Sequence, residues 1–295
     1  MDIALVVNPT SGKGRGAAAR AAVEERLRSR GAHVRTIVGN DAAHARELSA
    51  GAVAEGVDAL VALGGDGMVH LALQAVAGTE TPLGIVPAGT GNDLAWSLGL
   101  PQRDPLAAAD VVLAGTQRRV DAVRTDAGGG RWFACVLGAG FDSVVNERAN
   151  TLRWPRGPVR YNVAIAFELP RFKAMPFTLT LDGEPWRTDA MLVALGNAQS
   201  YGAGIRITAE AVIDDGLLDV FVLAPVSKLD FVRTLPKART GSHLTHPAVT
   251  VRRARRVTID SPGVVAYADG ERMGPLPLTC ECVPGALQVF APVPA

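Results

Sequence analysis

The sequence predicts an open α/β sheet in the first part of the chain and a β-sandwich second domain after it. Two observations carry this reading. Up to Val120, short apolar runs alternate with helical segments at the spacing of strand–helix–strand units. Beyond Val120 that rhythm gives way to short β-rich runs, many of them separated by turns such as Asp182-Gly183, Asp215-Gly216 and Asp269-Gly270.

Ile3–Val7 is a continuous apolar run, as expected of a parallel strand buried on both faces. Gly12–Gly16 breaks it, and Ala17–Arg30 reads as a helix closed by Gly31. Strands follow at Val34–Val38, Ala59–Leu63 and Leu83–Val86; helices are expected over Ala42–Ala54, Val69–Ala77 and near Asn92–Leu98, with right-handed crossovers. In the second part the strand candidates are Trp132–Val136, Phe177–Leu181, Met191–Leu195, Leu217–Leu223, Val249–Arg252, Val257–Ile259, Val264–Ala268 and Leu287–Phe290. Helical stretches near Asn162–Glu168 and Lys228–Lys237 interrupt them. The boundary falls at about Asp121, which gives a first domain of 1–121 joined by a C-terminal strand at about 286–295, and a second of 122–285.

Composition narrows the function classes. A chain of 295 residues suits about two domains, and 48% hydrophobic with 20% charged residues describes a packed core. A formal net charge of +1 carries no nucleic-acid footprint, so no nucleic-acid partner is expected. Cys135, Cys280 and Cys282 are too few and too oddly spaced for a disulfide framework or a four-ligand zinc site. No segment approaches the ~20 apolar residues of a membrane span, and the start has no basic n-region. A cytoplasmic protein is the expectation.

Ligands of open α/β sheets bind beyond the carboxyl ends of the strands, where three loops of unusual composition fall. The first is Asn8-Pro9-Thr10-Ser11-Gly12-Lys13-Gly14-Arg15-Gly16, which matches neither the Walker spacing nor G-x-G-x-x-G. A plain glycine-rich turn accounts for it as well as an anion site does. The second, Gly64-Gly65-Asp66-Gly67, sets one carboxylate among three glycines between a strand and a helix. That suits a nucleotide phosphate pressed against bare backbone, with Asp66 handling a metal ion or a hydroxyl proton; a helix cap in a tight turn is the alternative. The third, Pro87-Ala88-Gly89-Thr90-Gly91-Asn92-Asp93-Leu94-Ala95, joins glycines, a hydroxyl and an Asn-Asp pair at a helix start, where either of the pair could be the cap. Three such loops on one sheet edge point to a nucleotide-phosphate site.

In this order and at these distances, Asn8-Pro9 to Gly12, Gly64–Gly67 and Pro87–Asp93 resemble the diacylglycerol kinase catalytic domain family, which includes bacterial lipid kinases and the sphingosine and ceramide kinases. Val120-Asp121, Gly138-Ala139-Gly140-Phe141-Asp142, Gly196-Asn197, Tyr201–Gly204, Ala209 through Asp214–Asp219, His246-Pro247 and Asp269-Gly270-Glu271 extend the likeness over essentially the whole chain. The resemblance implies a nucleotide-binding α/β domain of the NAD kinase/phosphofructokinase type, a β-sandwich second domain and an active site between them. ATP would lie against Asn8, Pro9, Thr10, Ser11, Gly12, Gly64, Gly65, Asp66, Gly67 and Met68, with Gly89, Thr90, Asn92 and Asp93 at the phosphates. Gly39 falls where other members carry a nucleotide-contacting Thr. Glu271 matches the proton acceptor of the bacterial lipid kinases, whereas the sphingosine kinases give that task to the residue matching Asp66. Asp215, with the carbonyls of Val212 and Leu217, matches a structural magnesium site, and hard oxygen donors on a tight turn suit that ion.

The chain departs from the family pattern at Met68, His70 and Leu71, the first two in the manner of the sphingosine and ceramide kinases, while Leu71 replaces an acid expected in the cleft. The implied function is an ATP- and Mg²⁺-dependent kinase acting on the primary hydroxyl of a neutral lipid, diacylglycerol first. A sphingoid-base or other lipid kinase, NAD kinase, and a non-catalytic nucleotide- or lipid-binding regulator are the rivals. A lipid acceptor implies peripheral docking at a membrane surface. Arg153-Trp154-Pro155-Arg156 to Arg160, and the cluster Arg252, Arg253, Arg255 and Arg256, are the candidate contacts, with a solvated face of an arginine-rich protein as the alternative. A homodimer is left open.

Overall fold

The computed structural model describes residues 1–7, 15–152, 154, 159–202 and 204–293, with the side chains of residues 15–18 also outside the description. The first lobe runs β1 (Asp2–Val7), α1 (Arg15–Ser29), β2 (His33–Ile37), α2 (Ala42–Ala54), β3 (Ala59–Gly64), α3 (Asp66–Val76), β4 (Leu83–Pro87), α4 (Asp93–Ser97) and α5 (Pro105–Ala114). Strands β2-β1-β3-β4 are parallel neighbours in that order. Alternate side chains of this sheet serve two cores. Ile3, Leu5, Val61 and Leu63 pack with Val23 and Leu27 of α1 and Ala108 and Val112 of α5. Ala4, Val6, Leu60 and Ala62 pack with Ala45 and Ala52 of α2 and Ala72 and Leu73 of α3. Burial on both faces is why β3 and β4 and nearly all of β1 are apolar, whereas the edge strand β2, HVRTI, alternates.

The second lobe follows from β5 (Gln117–Thr125) through β6 (Trp132–Phe133), β7 (Val136–Gly140), α6 (Phe141–Thr151), α7 (Val159–Glu168), β8 (Met175–Leu181), β9 (Glu184–Ala190), β10 (Leu192–Gly196), β11 (Leu218–Leu223), α8 (Lys228–Thr234), β12 (Val249–Ala254), β13 (Arg256–Asp260), β14 (Val265–Ala268), β15 (Glu271–Pro275) and β16 (Leu278–Phe290). Among the described residues a six-stranded antiparallel sheet, β12-β11-β10-β7-β14-β15, faces the β16-β13-β8-β9 part of a ten-stranded sheet. Phe133, Leu137, Phe177, Leu179, Val193, Leu195, Val220, Val257 and Ile259 fill the space between them. The three cysteines are buried and free, and burial pushes the Cys282 thiol up to about 12.

The two lobes share a continuous ladder. Leu287–Phe290 of β16 pair with Gln117–Val120 of β5, and Val289 meets Leu83 of β4; Cys280–Val283 then pair with Ala122–Thr125 inside the sandwich. A register shift between Val283 and Leu287, at Pro284-Gly285, separates the two parts. The pattern reading catches only Leu287–Phe290 of this 13-residue strand because that shift breaks its alternation. It also passes over α5, whose PLAAADVVLA is apolar almost throughout and lacks a polar face, although Asp104 caps it through the Leu106 and Ala107 N–H groups (both 3.0 Å). Helix α6, β9 and β15 are likewise additions, and Trp132–Val136 divides between β6 and β7.

Asp121, 2% exposed, pins this ladder to the sandwich. Its carboxylate accepts the N–H of Gly216 at 2.6 Å and of Gly285 at 2.8 Å, and its carbonyl accepts Asn197 Nδ2 at 3.0 Å. Asn197 Nδ2 also reaches the carbonyl of Ala134 at 2.8 Å. Asp121→Ala should therefore strand two partly buried amides and cost about 2 kcal/mol in chemical denaturation. A loss within about 0.5 kcal/mol, the range of ordinary surface changes, would remove Asp121 from this structural role.

Candidate functional site

Gly-Gly-Asp-Gly lies where β3 hands over to α3. Asp66 does not cap its own helix: Gly65 holds the N-cap position. Instead, Asp66 Oδ2 accepts the N–H of Asn92 at 2.9 Å and Oδ1 that of Asp93 at 2.7 Å, so the second loop's carboxylate caps the helix that follows the third loop. Asn92, left-handed at φ 56°, turns its Oδ1 back to accept the Gly89 N–H at 3.0 Å. The glycines permit this approach. A Cβ on Gly89 would stand 2.5 Å from Gly65 Cα, and one on Gly91 would stand 2.5 Å from Asp66 Oδ2. A cleft of about 230 Å³ opens beside Gly89, lined by Pro87, Ala88, Gln102, Arg103 and Pro105 as well.

The hairpin β14–β15 approaches these loops at Gly67. Asp269 and Gly270 both adopt positive φ at its turn (51° and 83°), the conformation a two-residue hairpin demands. The Asp269 carboxylate accepts three backbone N–H groups: Ala134 at 2.8 Å, Cys135 at 2.9 Å and Val136 at 3.2 Å. This fixes the hairpin against β6 and β7 and delivers Glu271, two residues on, to the first turn of α3. A Cβ built on Gly67 would lie 3.4 Å from Glu271 Oε1, so only a glycine hydrogen stands between them. Asp66 and Glu271 thus converge on one helix start from different lobes. Glu271 is exposed and makes no hydrogen bond or ion pair among the described residues, whereas both oxygens of Asp66 are engaged.

A third acidic group closes the back of the site. Asp142, at the start of α6, lies under Gly138, where a Cβ would be 1.8 Å from its Oδ2, and the Ser143 N–H donates to its Oδ1 at 2.8 Å. Burial pushes the Asp142 carboxyl up to about 7. Burial, with the neighbouring Asp142 and Asp93 carboxylates, pushes the Tyr201 hydroxyl well up. Asp93 Oδ1 accepts the Gly204 N–H at 3.4 Å, which brings the third loop to the sandwich segment Tyr201–Gly204. In the sequence Asp142 and Tyr201 stand only among the marks of resemblance; the Gly-x-Gly spacing before Phe141 is the signal for a carboxylate packed on bare backbone.

The remaining candidates divide. Asn8, Pro9, Thr10, Ser11 and Gly12 lie outside the described residues. Thr90 is exposed beside Gly89. Gly39 is closed over by α2, since a Cβ there would be 2.5 Å from the Ala45 nitrogen, so this backbone has no room for the side chain found elsewhere in the family. Met68 and Leu71 are buried at 8% and 6% in the core under α3. The expectation that residue 71 borders the cleft is therefore corrected: the helix turns it inward. His70 is also buried, with Nδ1 3.8 Å from Asp269 Oδ2 and Nε2 3.3 Å from Gln74 Nε2. Gln74 bridges the lobes by donating to the Trp132 carbonyl at 2.8 Å and accepting its N–H at 2.9 Å.

At the expected magnesium turn, Asp215 Oδ1 accepts the Leu217 N–H at 3.0 Å and Oδ2 pairs with Arg253 Nη2 at 2.8 Å. Arg253 Nε also meets Asp219 Oδ1 at 2.9 Å, directly across the β11–β12 ladder. Among the described residues no three His, Cys, Asp or Glu side chains are grouped to hold a metal. With Val212 and Leu217 offering only main-chain oxygens, a magnesium ion here would contend with a guanidinium for the one carboxylate. The donor set as it stands does not fit the ion.

Residues 2–125 match the family model described as the diacylglycerol kinase catalytic domain, and residues 135–291 match the YegS C-terminal NAD kinase beta sandwich-like domain. The chain is 45% identical over 293 residues to a diacylglycerol kinase of Mycobacterium tuberculosis (strain H37Rv), covering 98% of this chain and 95% of that one. A diacylglycerol kinase of Bacillus subtilis (strain 168) is 27% identical over 281 residues, covering 92% and 90%. In fold, a diacylglycerol kinase structure from Bacillus anthracis aligns with TM-score 0.73 at 20% identity over 99% of this chain and 97% of that one. An ATP-bound NAD kinase from Archaeoglobus fulgidus aligns at 0.57 and 15%, over 98% and 93%.

Two outcomes test this geometry. Because the Asp142 carboxyl is raised when folded, the unfolded chain ionises first as pH rises, and wild-type stability should fall between about pH 4 and pH 7 at up to about 1.4 kcal/mol per pH unit from this group. Asp142→Asn should flatten that slope in denaturation series; an identical slope would return Asp142 to solvent. Arg253→Ala should cost about 1–2 kcal/mol, discounted for the arginine's exposure, and magnesium should not shift wild-type melting. A magnesium-dependent rise in melting temperature would mean that the ion displaces Arg253 and that the Val212–Asp215–Leu217 site exists.

Proposed function

The chain belongs to the diacylglycerol kinase family, and from that premise we propose that it transfers the γ-phosphoryl group of ATP to the primary hydroxyl of diacylglycerol, giving phosphatidic acid. It is a lipid kinase; the acceptor is the part proposed. The observation that carries the mechanism is the meeting of Glu271 with the first turn of α3 beside Asp66.

Phosphoryl transfer asks the protein for little covalent chemistry and much positioning. The nucleotide, arriving as its magnesium complex, would supply the phosphoryl group in a form whose charge is partly neutralised. The N–H groups of Asp66 and Gly67 at the start of α3 and the bare backbone of Gly65 and Gly67 offer an anion-binding surface. Asp66 holds the two glycine loops in register through the Asn92 and Asp93 amides. With both oxygens already accepting hydrogen bonds, it is the poorer proton acceptor of the two carboxylates. Glu271 has oxygens to spare. In the proposed step the acceptor oxygen bonds to the γ-phosphorus, the bond from that phosphorus to the β–γ bridging oxygen breaks, ADP leaves, and the acceptor proton passes to Glu271.

Two of the three departures from the family pattern, Met68 and Leu71, are buried in the core under α3, which supports keeping diacylglycerol as the acceptor. Glu271→Gln should lower turnover by about 10²–10⁴-fold with ATP affinity little changed. The check is radiolabelled transfer from ATP to a panel of diacylglycerol, sphingoid base and NAD, with nucleotide binding measured separately. Near-wild-type turnover in the variant would pass the role to Asp66, and turnover confined to NAD or a sphingoid base would replace the acceptor.

A further inference from the structure

Outside the cleft, α8 and the 3-10 turn after it, Leu235–Arg239, present an apolar stripe to solvent. Leu229 is 59%, Val232 51% and Leu235 39% exposed, at a spacing of three that keeps them on one side of the helix. The opposite side is occupied: Phe231 is buried and meets Phe141 edge-on at 4.9 Å, and Ala238 is buried with it. Lys228, Arg233, Lys237 and Arg239 rim the stripe, and the one acid among them, Asp230, faces His246 Nε2 at 3.2 Å. The end of α7 adjoins this face. Lys228 Nζ donates to the Phe172 carbonyl, Phe172 packs on Phe141 at 5.1 Å, and just before it lie Phe167, 54% exposed, and the exposed Arg171, with exposed Lys173 following.

We propose that this face, α8 with its following turn and the end of α7, is the surface by which the enzyme lies on an anionic bilayer. An apolar stripe bordered by cations matches the interface between acyl chains and acidic headgroups, with leucine and valine entering the first and lysine and arginine staying in the second. The stripe also lies close to the chemistry. Phe231 and Phe172 both pack on Phe141, the residue before Asp142, so one layer of aromatic rings separates the docked face from the back of the site. The proposal rests on the lipid-kinase reading for its purpose, and it differs from the Trp154 loop, where Trp154 is 82% exposed before the start of α7.

The test is co-sedimentation of the full chain with vesicles of phosphatidylcholine alone, or mixed with phosphatidylglycerol, at low and high salt. Wild-type binding should rise with phosphatidylglycerol and weaken with salt. Lys237→Gln with Arg239→Gln should weaken it about 25-fold, at about fivefold per cation. Leu229→Ser with Val232→Ser should weaken it at least about tenfold. Both variants should melt with the wild type and phosphorylate a short-chain, water-dispersed diacylglycerol at its rate. Wild-type binding by both variants, or its loss only on Trp154→Ala, would overturn the proposal in favour of the loop. No wild-type binding to either vesicle would overturn it and leave the face to a protein partner. Anionic-vesicle binding by the wild type without turnover of the dispersed diacylglycerol would instead sink the acceptor assignment while the docking face stood.

Discussion

The site depends on one carboxylate that does no chemistry. Asp269 collects the N–H groups of Ala134, Cys135 and Val136, three donors at the junction of β6 and β7, and so clamps the β14–β15 turn to the strands beside α3. A carboxylate holding several backbone amides is a strong and directional fixture. Without it the turn before Glu271 would be held by the β7–β14 ladder and the bond from the Asp269 N–H to the Val136 carbonyl. With it, Glu271 Oε1 is held against Gly67, and two lobes that share no catalytic residue in sequence meet at one helix start.

Asp66 plays the matching part on the other side. Its bonds to the Asn92 and Asp93 amides set the distance between two loops, and Gly65, Gly89 and Gly91 are what that distance demands. The acids around the site therefore differ by environment more than by type. Asp66 is spent on backbone donors, Glu271 is open, and Asp142 is raised to about 7 by burial. Environment of this kind is how one kind of group takes separate roles.

Much of this was legible in the chain. The parallel strands declared themselves because burial on both faces leaves only apolar residues, and the Asp-Gly turns at 182 and 269 announced hairpins because both residues adopt positive φ there. The loops at Gly64 and Pro87 stood out by composition. What could not be read was who bonds to whom. The sequence offers Asp66 as a carboxylate for a metal ion or a hydroxyl proton, or else as the cap of its own helix, yet it caps the next one 26 residues on, since sequence spacing does not record which loops abut. Leu71 reads as a missing carboxylate of the cleft, but the turn of α3 carries it into the core. Arg253 belongs to an arginine cluster in the sequence, while cross-strand register places it opposite Asp219 and within reach of Asp215.

The same register argument bears on how the site closes. Separate domains that clamp a nucleotide ordinarily turn about a linker. Here β5 and β16 run from the nucleotide lobe into the sandwich through the register shift at Pro284-Gly285, and Asp121, Asn197 and Gln74 bond across the passage. Opening the lobes as rigid bodies would break ladder hydrogen bonds and expose Asp121 with its amide partners. The cleft is thus preformed, which suits a reaction whose catalysis is mostly positioning.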